Sequence, residues 1–318
     1  MDVVGILVGA ISIGMTFLYG CVGEILTEKA GHLNLGIPGI MTFGAAGGCF
    51  GVSLYMRNNH DNPQAFVLFL SAIVFAILFA CLLGLVYAFF TITLKSNQNV
   101  TGLTLTTFGV GVTQFLIEGK IDRTYFAKAS IIFKKSLNVK SLGFFGEIFL
   151  SHGFLVYLAI AIAIVVAIFL KRTKTGLNLR AVGENPATAD AVGLNVTAYK
   201  YVAILVGSAI AGLGGLYYVM DYLSGSWEYG IEALGWISIA LVIFTMWKPA
   251  LSILGSVIFG ALYILAYRIN GISSSQMNLI QLAPYVVTVI VLIITSVFDS
   301  KENQPPAALG LSYFREDR

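Results

Sequence analysis

The sequence predicts an all-α polytopic membrane protein, and three observations carry that reading. Of 318 residues, 57% are hydrophobic and only 11% are charged, against about 25% charged in soluble domains. The mean hydropathy is +0.85, and a soluble fold of this length needs more polar surface than such a composition supplies. The apolar residues also fall into runs close to the roughly 20 that a helix needs to cross hydrocarbon. This excludes an ordinary cytosolic enzyme, a nucleic-acid module and a disordered scaffold. A net charge of +3 is too small to suggest a polyanionic partner. The whole chain, 1–318, reads as a single transmembrane domain.

Taken in order, the runs cover 3–22, 35–55, 65–94, 100–117, 148–170, 201–220, 234–247, 251–267 and 279–298. That is about nine crossings, within a range of roughly 8–10 that includes broken or re-entrant helices. The first run follows Met1 and Asp2 with no basic stretch and no cleavage site, so it reads as a span and not a signal peptide. The third is long enough to tilt strongly. The seventh is short, and Pro249 separates it from the eighth.

Basic residues in short loops set the sidedness. Lys171, Arg172, Lys174, Arg180 and Lys200 outnumber Glu184 and Asp190 in the segment 171–200, which predicts a cytoplasmic loop. Asp221, Glu228 and Glu232 stand without a basic residue in the next loop, which suits the outside, and the tail 299–318 then falls inside. Counting places 119–147 outside although it holds Lys120, Arg123, Lys128, Lys134, Lys135 and Lys140. Either the span count is off by one or this is a folded external loop that crosses despite its charge, and we read it as the loop.

Within the spans, small residues recur every fourth position: Gly44 and Gly48, Gly47 and Gly51, then Gly207, Ala211 and Gly215. They predict close helix packing. The stretch Asn34-Leu35-Gly36-Ile37-Pro38-Gly39 fits either a helix broken beside a transport pathway or a helix start with proline in its first turn. The fourth span is unusually polar. Asn97, Thr101 and Thr104 share one face, and Asn99, Thr106 and Thr113 share a neighbouring one. Uncharged donors and acceptors suit a path for a polar neutral solute, and equally suit hydrogen bonding between helices. No acidic or basic residue falls deep inside these runs, which argues against an ion-coupled carrier.

No nucleophile, acid–base pair or metal set is apparent. His32, His60 and His152 are scattered, and Cys21, Cys49 and Cys81 sit in apolar runs that suggest neither disulfide nor metal. Gly119-Lys120 is followed by Ile121 and lacks the upstream glycine, so the chain has no phosphate-binding loop for ATP. In the loop 171–200, Asn185 followed by Pro186 is a helix start, and Gly193 suits a C-terminal cap. A short helix is expected at 186–192, with another short turn before it at 176–182.

This loop resembles the coupling segment of ABC importer permeases of the branched-chain amino acid, ribose and nucleoside class. The likeness runs through Gly176, Leu177, Leu179, Arg180, Ala181, Val182, Gly183, Glu184, Asn185, Pro186, Ala187, Ala189 and Gly193. Upstream, Gly23-Glu24, Glu28-Lys29-Ala30-Gly31 and Asn34-Leu35-Gly36 resemble a stretch of the nucleoside-type permeases, and Trp247-Lys248-Pro249 and Pro284-Tyr285 resemble their late spans. The family commonly has glutamate where Pro38 stands.

The resemblance implies a permease subunit of a bacterial cell membrane, embedded in membrane lipid, with no cofactor and no nucleic acid of its own. Two such subunits would form the pore, the second a similar but non-identical chain. A separate cytoplasmic ATPase would bind ATP and Mg and dock on Gly176, Arg180, Gly183, Glu184, Asn185, Pro186, Ala187, Asp190 and Gly193. An external substrate-binding protein or lipoprotein would deliver the solute, expected to be a nucleoside. Simple sugars and branched-chain amino acids are the alternatives within the class. A secondary carrier or a structural membrane subunit is the alternative outside it. The substrate path would involve Asn34, Asn97, Asn99, Thr101, Thr104 and Thr106, with Tyr217 and Trp227 as stacking surfaces. An interfacial aromatic belt explains those two aromatics equally well.

Overall fold

A computed structural model describes residues 3–136, 143–269, 273–297 and 304–314. Lys140, the first two residues and the tail segments 298–303 and 315–318 lie outside the described residues. Among the described residues there are helices and no strands. Seven helices are long and apolar enough to cross a membrane, and two shorter apolar ones, Ile231–Phe244 and Pro249–Leu265, accompany them. The nine expected runs therefore divide into six continuous long helices, a seventh long run interrupted at Leu282, and two short segments. The chain is an all-α, multi-pass membrane protein.

Three helices form the buried centre: α1 (Val3–Glu28), α2 (Ile37–Asn59) and α10 (Val196–Tyr217), the last continued by a π-helical turn, Tyr218–Tyr222. Their glycines explain the approach. A Cβ on Gly44 would stand 2.4 Å from the Gly212 Cα, and one on Gly23 would stand 2.4 Å from the Gly207 carbonyl oxygen. The two small-residue stripes of α2 serve different neighbours. Gly44 and Gly48 face α10, while Gly47 and Gly51 meet Phe75 and Ser71 of α3 (Ala65–Ala88). Without a hydrophobic driving force between helices in lipid, such backbone-level contact supplies the dispersion energy.

Around this centre stand α3 with its π-helical end Phe89–Thr93, α4 (Gln98–Gly119) and α7 (Phe154–Arg172), each largely exposed on its outer face. Large exposed side chains such as Phe66, Leu82 and Val165 are what a lipid-facing surface requires. The short helix α11 (Ile231–Phe244) and α12 (Pro249–Arg268) lean on α1: Ser238 meets Gly20, and Ser256 meets Gly14. The last run is interrupted. Leu282 ends α13 (Ser274–Gln281) before α14 (Ala283–Val297) begins.

The bundle has two distinct ends. One gathers the connector 29–36, α8 (Lys174–Glu184), α9 (Pro186–Ala191) and residues 304–314. The other gathers the loop after α2, with α5 (Phe126–Phe133), α6 (Gly143–Phe149) and the turn after Tyr222. Lys128 donates to the His60 carbonyl there, and the Ser130 hydroxyl donates to the Ser224 carbonyl at 2.9 Å. The described residues of 119–147 and the segment 171–200 thus lie at opposite ends.

Two expectations shift. Helix α1 does not stop at Val22 but runs to Glu28, so Glu24 and Glu28 belong to it and are buried. Asp221 and Lys200 are also buried, at the two ends of α10 and its extension. Ionisable groups therefore do occur within the long helices, close to their ends.

Candidate functional site

The connector between α1 and α2 is the organising feature of the first end. It is non-helical and buried, so its backbone needs partners from elsewhere. They come from three helices. The Leu33 amide donates to Gln98 Oε1 at 2.8 Å, and the Asn34 amide to Glu24 Oε1 at 2.8 Å. The Leu33 carbonyl accepts from the Tyr87 hydroxyl at 2.7 Å, and the Leu35 carbonyl accepts from Thr106 Oγ1 at 2.8 Å. Asn34 Oδ1 accepts from the Gly36 amide at 3.0 Å. Helix α2 then starts with Pro38 in its first turn. The helix-start reading holds, and the irregular backbone lies before the proline, buried in protein.

Against this connector rests the coupling-like segment. Thr173 caps α8 through the Gly176 amide at 3.0 Å, which turns the expected short turn into a helix of 11 residues. Asn185 Oδ1 accepts from the Thr188 amide at 2.9 Å and Pro186 opens α9. Gly193 follows with φ of +86°, a conformation that favours glycine. Helix α8 sits so close to its supports that added Cβ atoms would strike backbone: Gly176 at 2.0 Å from the Phe169 oxygen, Gly183 at 2.3 Å from the Lys29 oxygen. Ala189 is buried with Val182 and Val196, and Ala187 is half-buried. Leu177, Arg180, Glu184 and Val192 are exposed. The motif thus splits into residues that seat the segment and residues that it presents.

Residues 304–314 lie across this surface. The Ala308 amide donates to the Gly183 carbonyl at 3.0 Å, and the Gly310 amide to the Gly31 carbonyl at 3.3 Å. The Ala307 amide donates to Glu184 Oε2 at 3.2 Å, and the Tyr313 hydroxyl to Asp190 Oδ2 at 2.9 Å. Nothing in the sequence pattern marks this docking, because each bond joins backbone or a lone side chain to a segment over a hundred residues away.

The second candidate region is α4. Asn97 caps it through the Val100 amide at 3.1 Å. Asn99, Thr104, Thr107, Gly111 and Gln114 are exposed along its outer face, and Thr101 is half-buried. Thr106 is buried on the connector. Tyr217 is fully buried, its hydroxyl donating to the Ser12 carbonyl at 2.6 Å. Trp227 instead lines a small cavity of about 20 Å³ with Thr42, Thr113, Gln114 and Glu232. Trp227 Nε1 and Thr113 Oγ1 are buried there without a hydrogen-bond partner. The structure therefore sets Trp227 beside α4 and places Asn34 and Tyr217 in the packed interior.

These features define a membrane-embedded helical bundle with a surface helix pair seated at one end. The family model for the permease component of branched-chain amino acid transport systems matches residues 3–296. The chain belongs to this family and is an ABC transporter permease. It is 32% identical to the glucose-type ABC transporter permease TsgC13 of Haloferax volcanii, over 98% of each chain. It is 30% identical to the nucleoside ABC transporter permease NupC of Lactococcus lactis, over 94% of this chain and 93% of that one. It is 26% identical to the guanosine ABC transporter permease NupQ of Bacillus subtilis over the full length of both.

Proposed function

We propose that this chain forms half of the pore of an ATP-driven importer for nucleosides in the cell membrane. The observation that carries this reading is the outer face of α4. Thr104, Thr107, Gly111 and Gln114 recur at helical spacing and are exposed, interleaved with the large apolar Phe108 and Phe115, where lipid alone would favour large apolar side chains throughout. A second permease subunit, similar but non-identical, covers that face, and an uncharged solute passes between the two. Thr113 and Trp227 offer hydrogen bonds and an aromatic surface beside it. The names of NupC and NupQ support the nucleoside. A sugar is the second reading, favoured by the 32% identity to TsgC13.

On this reading the basic end that holds α8 and α9 is cytoplasmic. A partner ATPase binds ATP and Mg and docks on the presented residues Leu177, Arg180, Glu184 and Val192. Asn185, Pro186, Asp190 and Gly193 hold α9 in shape. Closure of the ATPase pushes α8, and α7 and α10 carry the movement into the bundle, because Gly176 and Gly183 leave no slack. A substrate-binding protein or lipoprotein docks at the opposite end, on 119–147.

The experiment co-expresses the chain with its neighbouring permease, ATPase and binding-protein genes and measures ATP hydrolysis in membranes against nucleosides, sugars and branched-chain amino acids. Nucleoside-stimulated hydrolysis that is lost in Glu184→Ala and Asn185→Ala supports the reading. Stimulation by glucose alone transfers it to sugars. No ATPase retained with the permease pair removes the importer assignment of this loop.

A further inference from the structure

At the α8–α9 end lies a cavity of about 400 Å³ that the transport reading does not use. Its walls come from the connector, the end of α3, the start of α10, the turn after α9 and the tail. His32, Lys95, Lys200, Asp190 and Ser312 line it, together with Val196 and Thr197 at the first turn of α10. Lys200 is 3% exposed and His32 is 1% exposed. Neither His32 ring nitrogen has a hydrogen-bond partner. Burying the His32 ring nitrogens without partners costs free energy that a ligand can recover.

The start of α10 adds to this. Asn195 satisfies the amides of Ala198 and Tyr199, and no acceptor among the described residues serves those of Val196 and Thr197. This helix of 22 residues therefore turns free N–H groups and the positive end of its dipole toward the cavity. Two lysines and a helix N-terminus face one carboxylate, Asp190, and that carboxylate already accepts from Tyr313. Lys95 also stacks 4.1 Å from the centre of the Phe314 ring, which ties the tail to the same wall.

We propose that this cavity binds a phosphate-bearing anion, with Lys200, Lys95, His32 and the first amides of α10 as its donors. The tail segment 304–314 closes one side. The cavity exceeds what inorganic phosphate alone fills, so the phosphate belongs to a larger molecule: a soluble nucleoside monophosphate or the headgroup of an anionic lipid. The proposal does not depend on what the pore carries.

The full chain in nanodiscs tests it. In one arm the discs contain only phosphatidylcholine, and AMP, inorganic phosphate and adenosine are titrated by calorimetry. In the other, native mass spectrometry counts phosphatidylglycerol retained from mixed discs. We expect saturable AMP binding with none by adenosine, or retention of phosphatidylglycerol, and each weakened about tenfold by Lys200→Gln and by Lys95→Gln, as loss of a charged hydrogen bond implies. AMP binding identifies a soluble ligand, and phosphatidylglycerol retention identifies the lipid. Lys95 is half-exposed, so its variant decides the matter if Lys200→Gln does not fold. Absence of both ligands, or equal binding by folded variants, overturns the proposal.

Discussion

The Glu28 carboxylate accepts a hydrogen bond from the Trp247 indole, 219 residues further along the chain. This joins the end of α1 to the turn between α11 and α12. Met246 and Trp247 occupy that turn with φ of +52° and +55°. Such backbone persists in non-glycine residues only where the surroundings hold it. Trp247→Phe removes the donor and leaves a buried carboxylate short of a partner. The variant is expected to lose about 1–3 kcal/mol. Glu28→Leu combined with it should lose less than the sum of the two singles, because one interaction is removed twice. Thermal unfolding of the detergent-solubilised chain measures the cycle; strict additivity would show that the bond is not energetically coupled.

Gly183 offers a sharper test of the seating of α8. A methyl group there would stand 2.3 Å from the Lys29 oxygen, and backbone cannot yield as a flexible side chain does. Gly183→Ala should displace α8 and abolish substrate-stimulated ATP hydrolysis. Gly193→Ala meets no atom within 4 Å and carries only the strain of φ +86°. Its activity should persist with a cost of about 1 kcal/mol. Equal loss in both would mean that the segment responds to backbone strain and not to its contact with the connector.

Thr113 can be separated from the fold. Its hydroxyl is buried beside Trp227 without a partner, so Thr113→Val should leave stability unchanged or raise it slightly. If this hydroxyl meets the solute, radiolabelled nucleoside uptake should fall several-fold in vesicles holding the complete importer. Unchanged uptake at unchanged stability removes Thr113 from the path.

His32 makes a prediction in pH. Burial, helped by the Lys200 ammonium, holds its imidazole well below the ordinary value of 6.5. The unfolded chain therefore takes up this proton at a higher pH than the folded chain does. The associated stability is complete above pH 6.5 and is lost as the pH falls from there toward the folded value. Lys95, Lys200 and Asp190 face the same cavity. His32→Asn should flatten the fall in melting temperature between pH 7.5 and about 5.5. An identical slope in the variant would assign the pH response to other groups.

Much of this protein is written in short-range signals. Apolar runs reveal the membrane class because hydrocarbon imposes a length on each helix. Asn185, Pro186 and Gly193 reveal α9 because a cap acts within three residues. The extra length of α8 was equally local, since Thr173 caps it, but a polar helix carries no hydropathy signal. The parting of the two glycine stripes, Gly44 toward α10 and Gly47 toward α3, needed the packed bundle, because spacing marks a face without naming its neighbour. So did the interior role of Asn34 and Tyr217, the burial of Glu24 and Glu28, and the docking of the tail on Gly31 and Gly183. Hydrogen bonds across a hundred residues or more depend on where whole helices come to rest, and no local stretch of chain encodes that.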